Sequence, residues 1–193
     1  MTKKLSYVCI GLASVLMGSA LVYYNFIDKT QLGVEVGDKS PNFTVETMAA
    51  DGNTFAMTDK EYNLYVHSGK VRVVNFWATW CAACKHELPD FDAFAKAYPE
   101  VDVIAICGSS GTSENVINWM NNEKQDAQKN GWADYSLIFG FYGPDKNVYG
   151  DMGGQGMWPT TVVVDEKGTI CYTSGTTLDF AGLEEIVLPL LND

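Results

Sequence analysis

The sequence is poor in positive charge and in histidine. Its 13 Lys and Arg stand against 24 Asp and Glu, a formal net charge of -11. A nucleic-acid partner calls for a basic footprint, so this balance excludes one and reads as an acidic, solvated surface. There is no repeat and no disordered composition, and no glycine-rich dinucleotide fingerprint precedes a helix, so no bound NAD or FAD and no other cofactor is expected. A second CxxC is also missing. Structural zinc takes four ligands, and His67, His86, Cys107 and Cys171 provide only a scattered set, so no metal site is expected.

Long apolar character is confined to the N-terminus, where Leu5 to Ile27 runs uncharged after Lys3-Lys4. As a helix this run would rise about 35 Å, enough to span a bilayer core with some tilt. Basic residues before it and Asp28 after it favour a cytoplasmic tail (1-4), a transmembrane anchor (5-27), a linker (28-36) and an extracytoplasmic body (37-193). The alternative is a cleaved signal peptide processed near Gly18-Ser19-Ala20. Against it, apolar residues resume at Leu21-Val22-Tyr23-Tyr24 and no clear A-x-A pattern follows. Cys9 lies too early in the run to be a lipidated cysteine at a cleavage site.

In the body, Phe43 and Val45 alternate with polar residues before Asp51-Gly52 and Thr54-Phe55-Ala56-Met57, which predicts a hairpin. Residues 58 to 69 read as a helical or looping piece. Val71, Val73, Val74 and Phe76 predict a central strand buried on both faces. Leu88, Phe91, Phe94, Ala95 and Tyr98 then recur at helical spacing, with Pro89 interrupting. A second buried strand covers 101 to 106, and a helix begins at Ser113. Residues 140 to 157 read as a glycine-rich irregular region. Thr160 to Asp165 and Thr169 to Thr173, joined by Lys167-Gly168, predict a second hairpin, and a last helix runs from about Thr177 to Leu190. The expected fold class is an open α/β sandwich.

Phe76-Trp77-Ala78-Thr79-Trp80-Cys81-Ala82-Ala83-Cys84 puts a dithiol where the central strand passes into the helix. Outside the cytoplasm such a pair exchanges electrons as readily as it binds metal. Unpaired amides at a helix N-terminus stabilise a thiolate, so Cys81, expected to be exposed, is the candidate attacking sulfur, and Cys84, a turn deeper, the resolving one. The chain has 5 cysteines, an odd count, so at least one thiol stays unpaired in a monomer. His86 lies two residues after Cys84 and five after Cys81, poor spacings for a Cys-His pair, and reads as a surface residue.

These motifs, with Pro89 and Trp158-Pro159-Thr160, resemble the membrane-anchored, thioredoxin-like thiol-disulfide oxidoreductases of the TlpA and ResA group over nearly all of residues 34 to 190. The resemblance implies a thioredoxin-like fold with a central mixed sheet, flanking helices and an N-terminal hairpin, preceded by one transmembrane helix. It implies that Pro159 is cis and lies beside the dithiol, with Trp80, Trp158 and Pro159 framing substrate docking. Ordinary thioredoxins carry a buried Asp at the position of Asn75. The membrane-anchored group instead places a Glu three residues after the second cysteine, which is Glu87, as the proton-exchanging third member of the site. The implied partners are disulfides of client proteins and a membrane thiol relay as electron donor. The implied activity is extracytoplasmic reduction, in cytochrome c maturation or in regenerating a partner reductase. A disulfide-forming oxidase of the same fold and a thiol metallochaperone are the alternatives. A peroxide-reducing thiol enzyme fits less well, because the proline and threonine that should precede its cysteine are not arranged that way here.

Overall fold

The computed structural model describes residues 33 to 51, 54 to 122 and 134 to 192. The expected anchor, most of the expected linker, the Gly52 turn and the polar run 123 to 131 lie outside them. Among the described residues no helix is long and apolar enough to cross a membrane.

Seven strands form one mixed sheet: β1 (Thr44–Asp51), β2 (Thr54–Asn63), β3 (Arg72–Trp77), β4 (Asp102–Cys107), β5 (Ile138–Phe141), β6 (Thr160–Val164) and β7 (Ile170–Ser174). Their order is β2-β1-β5-β4-β3-β6-β7. β3, β4 and β5 are parallel, and β1 and β6 join them antiparallel from either side. The helices are α1 (Ala82–Ala97), α2 (Ser113–Asn122), the single-turn α3 (Val148–Asp151) and α4 (Phe180–Val187), which passes into a 3-10 turn at Leu188–Leu191.

β3 is buried along its whole length, Arg72 and Asn75 included, with Val73, Val74, Phe76 and Trp77 filling both faces. Successive side chains of a strand point to opposite faces, and β3 splits accordingly. Val73 and Trp77 pack with Leu88, Phe91 and Phe94 of α1, while Val74 and Phe76 join Tyr62, Tyr149 and Met152 on the other face. Asn75 has the parity of Val73 and Trp77. A polar group is thereby aimed at α1 from inside the core.

Two expectations are corrected. Residues 58 to 63 are not helical or looping but continue β2, pairing with β1 through a register shift between Glu46 and Met48. Asp59, Lys60 and Glu61 are all exposed on this edge strand, so the alternation that marks a half-buried strand is missing from the sequence. The glycine-rich region 140 to 157 is likewise not irregular throughout, because it contains the end of β5 and the turn α3. Gly140 is a strand residue where β1, β5 and β4 meet. A Cβ there would come within 2.9 Å of Val45 Cγ2, 3.3 Å of Ile104 Cδ1 and 3.4 Å of Ile106 Cγ1. β5 therefore carries glycine where a strand former would be looked for.

The last helix is also shorter than its sequence pattern. Asp179 caps it, its side chain accepting from the Gly182 amide at 2.8 Å, and the proline-containing Leu188–Leu191 turn follows. Pro189 thus tightens the end rather than extending the helix. For Gly140→Val, overpacking against Val45 and Ile104 is expected to cost about 1–3 kcal/mol, read as a lowered urea midpoint at unchanged slope.

Candidate functional site

β3 delivers the chain to its C-terminal edge at Trp77, and α1 starts five residues later. Cys81 is the N-cap of α1, with extended backbone, and its sulfur lies 3.1 Å from the Cys84 amide that donates to it. That donor is one of the amides a helix start leaves without an intrahelical acceptor. Cys81 and Cys84 are joined in a disulfide with an S–S distance of 2.07 Å. Cys84 is fully buried and Cys81 is 6% exposed. Cys81 is thus less open than expected, and it belongs to the buried cluster that includes Cys84, Leu88 and Phe91.

Glu87 follows Cys84 by three residues, the spacing that places two side chains on one helix face. It is a core residue, only 2% exposed. The Asn75 Nδ2 donates to its Oε1 at 2.7 Å, and the Leu178 amide donates to its Oε2 at 3.0 Å. Burial pushes this carboxyl up to about 7, against the opposing pull of the Leu178 and Asn75 hydrogen bonds, with a smaller upward push from Asp90. A carboxyl poised there exchanges a proton near neutral pH.

The rim is aromatic. Trp80 is the exposed member, and its indole donates to the Ser109 carbonyl at 2.9 Å. Ser109, two residues past the end of β4, has a positive φ of 53°. Trp80 meets Trp158 edge to face at 5.8 Å, Trp158 stacks on Tyr149 at 4.5 Å, and Tyr149 meets Phe76 at 5.5 Å. The Tyr149 hydroxyl donates to the Met157 carbonyl at 2.7 Å, and so does the Thr160 hydroxyl, at 2.7 Å. Between those anchors the Trp158–Pro159 peptide bond is cis.

Trp80, Cys81, Cys84 and Glu87 therefore share the β3–α1 junction, and Trp158 reaches it through its contact with Trp80. His86 is exposed on α1. Cys107 is a free, fully buried thiol that burial pushes up to about 12, and Cys171 is free on the distant β7. Tyr149, Ser109, Thr161 and the Leu178 amide were not singled out from sequence. The structure shows why Gly154 accompanies Tyr149: a Cβ there would fall 2.4 Å from its ring.

Residues 36–173 match the AhpC/TSA family. The chain belongs to this family. Among curated proteins, the thioredoxin-like protein YneN of Bacillus subtilis is 30% identical over 148 residues, covering 76% of this chain and 75% of that one. The thiol-disulfide oxidoreductase ResA of Geobacillus thermodenitrificans is 26% identical over 151 residues, 77% of this chain and 74% of that one. A crystal structure from Chlorobium tepidum, of a candidate thiol:disulfide interchange protein DsbE, superposes with a TM-score of 0.64 at 18% identity, covering 82% of this chain and 99% of that one. The fold is thioredoxin-like, and this AhpC/TSA-family chain is a thiol-disulfide oxidoreductase.

The raised titration of Glu87 carries a stability consequence. An unfolded carboxyl titrates near its ordinary value of 4.5 while the folded one holds its proton to about 7. The folded state therefore binds more protons across that window, and stability that is complete below it falls as pH rises through it. Relative to Glu87→Gln, the oxidised wild type is expected to lose about 3 kcal/mol between pH 4.5 and 8 in urea denaturation. A constant difference between the two proteins over that range would contradict it.

Proposed function

We propose that this protein is a membrane-anchored, extracytoplasmic reductant of disulfides in client proteins, working through Cys81 and Cys84 with Glu87 as proton acceptor. The observation that carries the reading is the disulfide across the first turn of α1 with a buried carboxyl one turn further on. The run Leu5–Ile27 behind Lys3-Lys4 supports the anchor and its orientation.

In the reduced protein Cys81 lies at the helix start, where amide donors favour its thiolate. The thiolate attacks one sulfur of the client disulfide. The second client sulfur leaves as a thiolate and takes a proton from water. Cys84 then gives its proton to Glu87 and attacks Cys81, and the first client sulfur departs as a thiolate. The client has gained two electrons, and Cys81–Cys84 is again the disulfide. A thiol relay in the membrane returns those electrons.

Trp80, Trp158 and Pro159 make the docking frame in this reading. An extended client segment can hydrogen-bond to backbone beside the buried Pro159, with its cysteine against the aromatic rim. The resemblance points to clients in cytochrome c maturation, or to a partner reductase, as the occupants of such a frame.

With Cys84→Ala in the native envelope, the mixed disulfide at Cys81 has no resolving thiol. Reducible adducts should accumulate and be identifiable by mass, and Cys81→Ser should abolish them. Their absence under both reducing and oxidising conditions would overturn thiol exchange as the function. Glu87→Gln is expected to slow resolution about 10²-fold at pH 7 without changing adduct formation, as measured by stopped flow with a defined disulfide peptide.

A further inference from the structure

We propose that Asn75 is the positioning residue for Glu87, and that its side-chain amide reverses when Glu87 takes up a proton. The inference rests on the reading of Glu87 as the proton acceptor in exchange.

Asn75 is fully buried in the middle of β3. Its Nδ2 donates to Glu87 Oε1 at 2.7 Å and to Thr161 Oγ1 of β6 at 3.2 Å. Its Oδ1 is buried with no hydrogen-bond partner. Buried amide oxygens are seldom left so, because each forfeits the bond it made to water. Here the arrangement spends both donors on one side.

A donor-only face suits a carboxylate, which is acceptor-only when charged. It does not suit the acid. Oε2 is held by the Leu178 amide and Oε1 by Asn75, so both partners are donors and neither accepts the O–H that the acid carries. Reversal of the amide removes the conflict. Oδ1 then lies opposite Oε1 and accepts its O–H, while the Thr161 hydroxyl, which can donate as well as accept, turns to donate to Oδ1. The two ends of an amide are nearly equal in size, so the change needs no repacking, but Nδ2 moves to the buried position where Oδ1 now lies without a partner, a cost that the new bonds to Oδ1 must exceed.

The neighbouring elements leave this amide as the group that answers the proton. On α1 itself, Asp90 faces Glu87 electrostatically, and Cys84 is tied to Cys81. β3 and β6 contribute the neutral Asn75 and Thr161. The segment before α4 contributes the Leu178 amide, and the adjoining Asp179 carboxylate is engaged with the Gly182 amide.

The test is a pH titration by NMR of the full-length oxidised protein, following the Glu87 side-chain carbonyl carbon and the Asn75 side-chain NH2. Both signals should move with one midpoint in the wild type, and an Asn75 signal that stays flat through the Glu87 titration would overturn the reversal. This arm needs no variant. In Asn75→Ala the lost donor should move the Glu87 midpoint up by about one pH unit and carry the inflection of the exchange rate with it. An unmoved Glu87 midpoint in folded Asn75→Ala would overturn the positioning role. A midpoint that moves while the exchange profile does not would leave Asn75 in its role and remove Glu87 from the exchange reaction.

Discussion

A carboxyl group buried in a protein core must be given hydrogen-bond donors, and meeting that demand at Glu87 ties the site together. Its two donors come from β3 and from the segment before α4, 91 residues away from Glu87 in the second case. Asn75 can reach it only because β3 is a central strand with α1 packed across one face. Leu178 can reach it only because α4 returns over the same face, where Leu183 and Val187 are buried. The carboxyl thus links the strand that delivers the dithiol, the helix that starts with it and the chain's last helix.

The opposite side of the junction is held by rings rather than charge. Phe76, Tyr149, Trp158 and Trp80 form a continuous chain of aromatic contacts from the lower core to the exposed rim. Aromatic pairs in such tilted or offset arrangements add to simple burial. The helical turn at Val148–Asp151 supplies Tyr149, so the glycine-rich segment supports the rim directly. Its glycines permit close approach to that ring.

Sequence made the parts governed by local pattern legible. The runs in β3, β4 and β6 and the apolar stripe of α1 are strong because each residue there repeats one environment. β5 was hidden because it is short and carries Gly140, chosen by three neighbours distant in sequence. The end of β2 was hidden because consecutive exposed polar residues at the sheet edge erase the alternation of a half-buried strand. The dithiol was legible from its spacing and position, whereas the role proposed for Glu87 came only from a resemblance and its burial not at all, since a glutamate among Lys85, His86 and Asp90 reads locally as solvated. Asn75 was legible as a departure from ordinary thioredoxins, but its partner was not, because strand parity and helix placement together decide it.

In the proposed reading, the same topology confines thiol chemistry to two of the described sulfurs. Cys107 ends β4 and Cys171 lies on β7, with β3 and β6 between their strands. Three strand spacings of about 4.8 Å put them about 14 Å apart, twice the Cα separation a disulfide tolerates. Burial raises both thiols above their ordinary titration, so neither forms a thiolate readily near neutral pH. Cys81 differs in kind: it caps a helix, and an amide points at its sulfur. Cys84 differs from Cys107 although both are fully buried, because the turn that carries Cys84 also carries Glu87. In the proposed reading, what separates a reactive buried thiol from an inert one is a carboxyl to take its proton, and Asn75 and Leu178 hold that carboxyl in place.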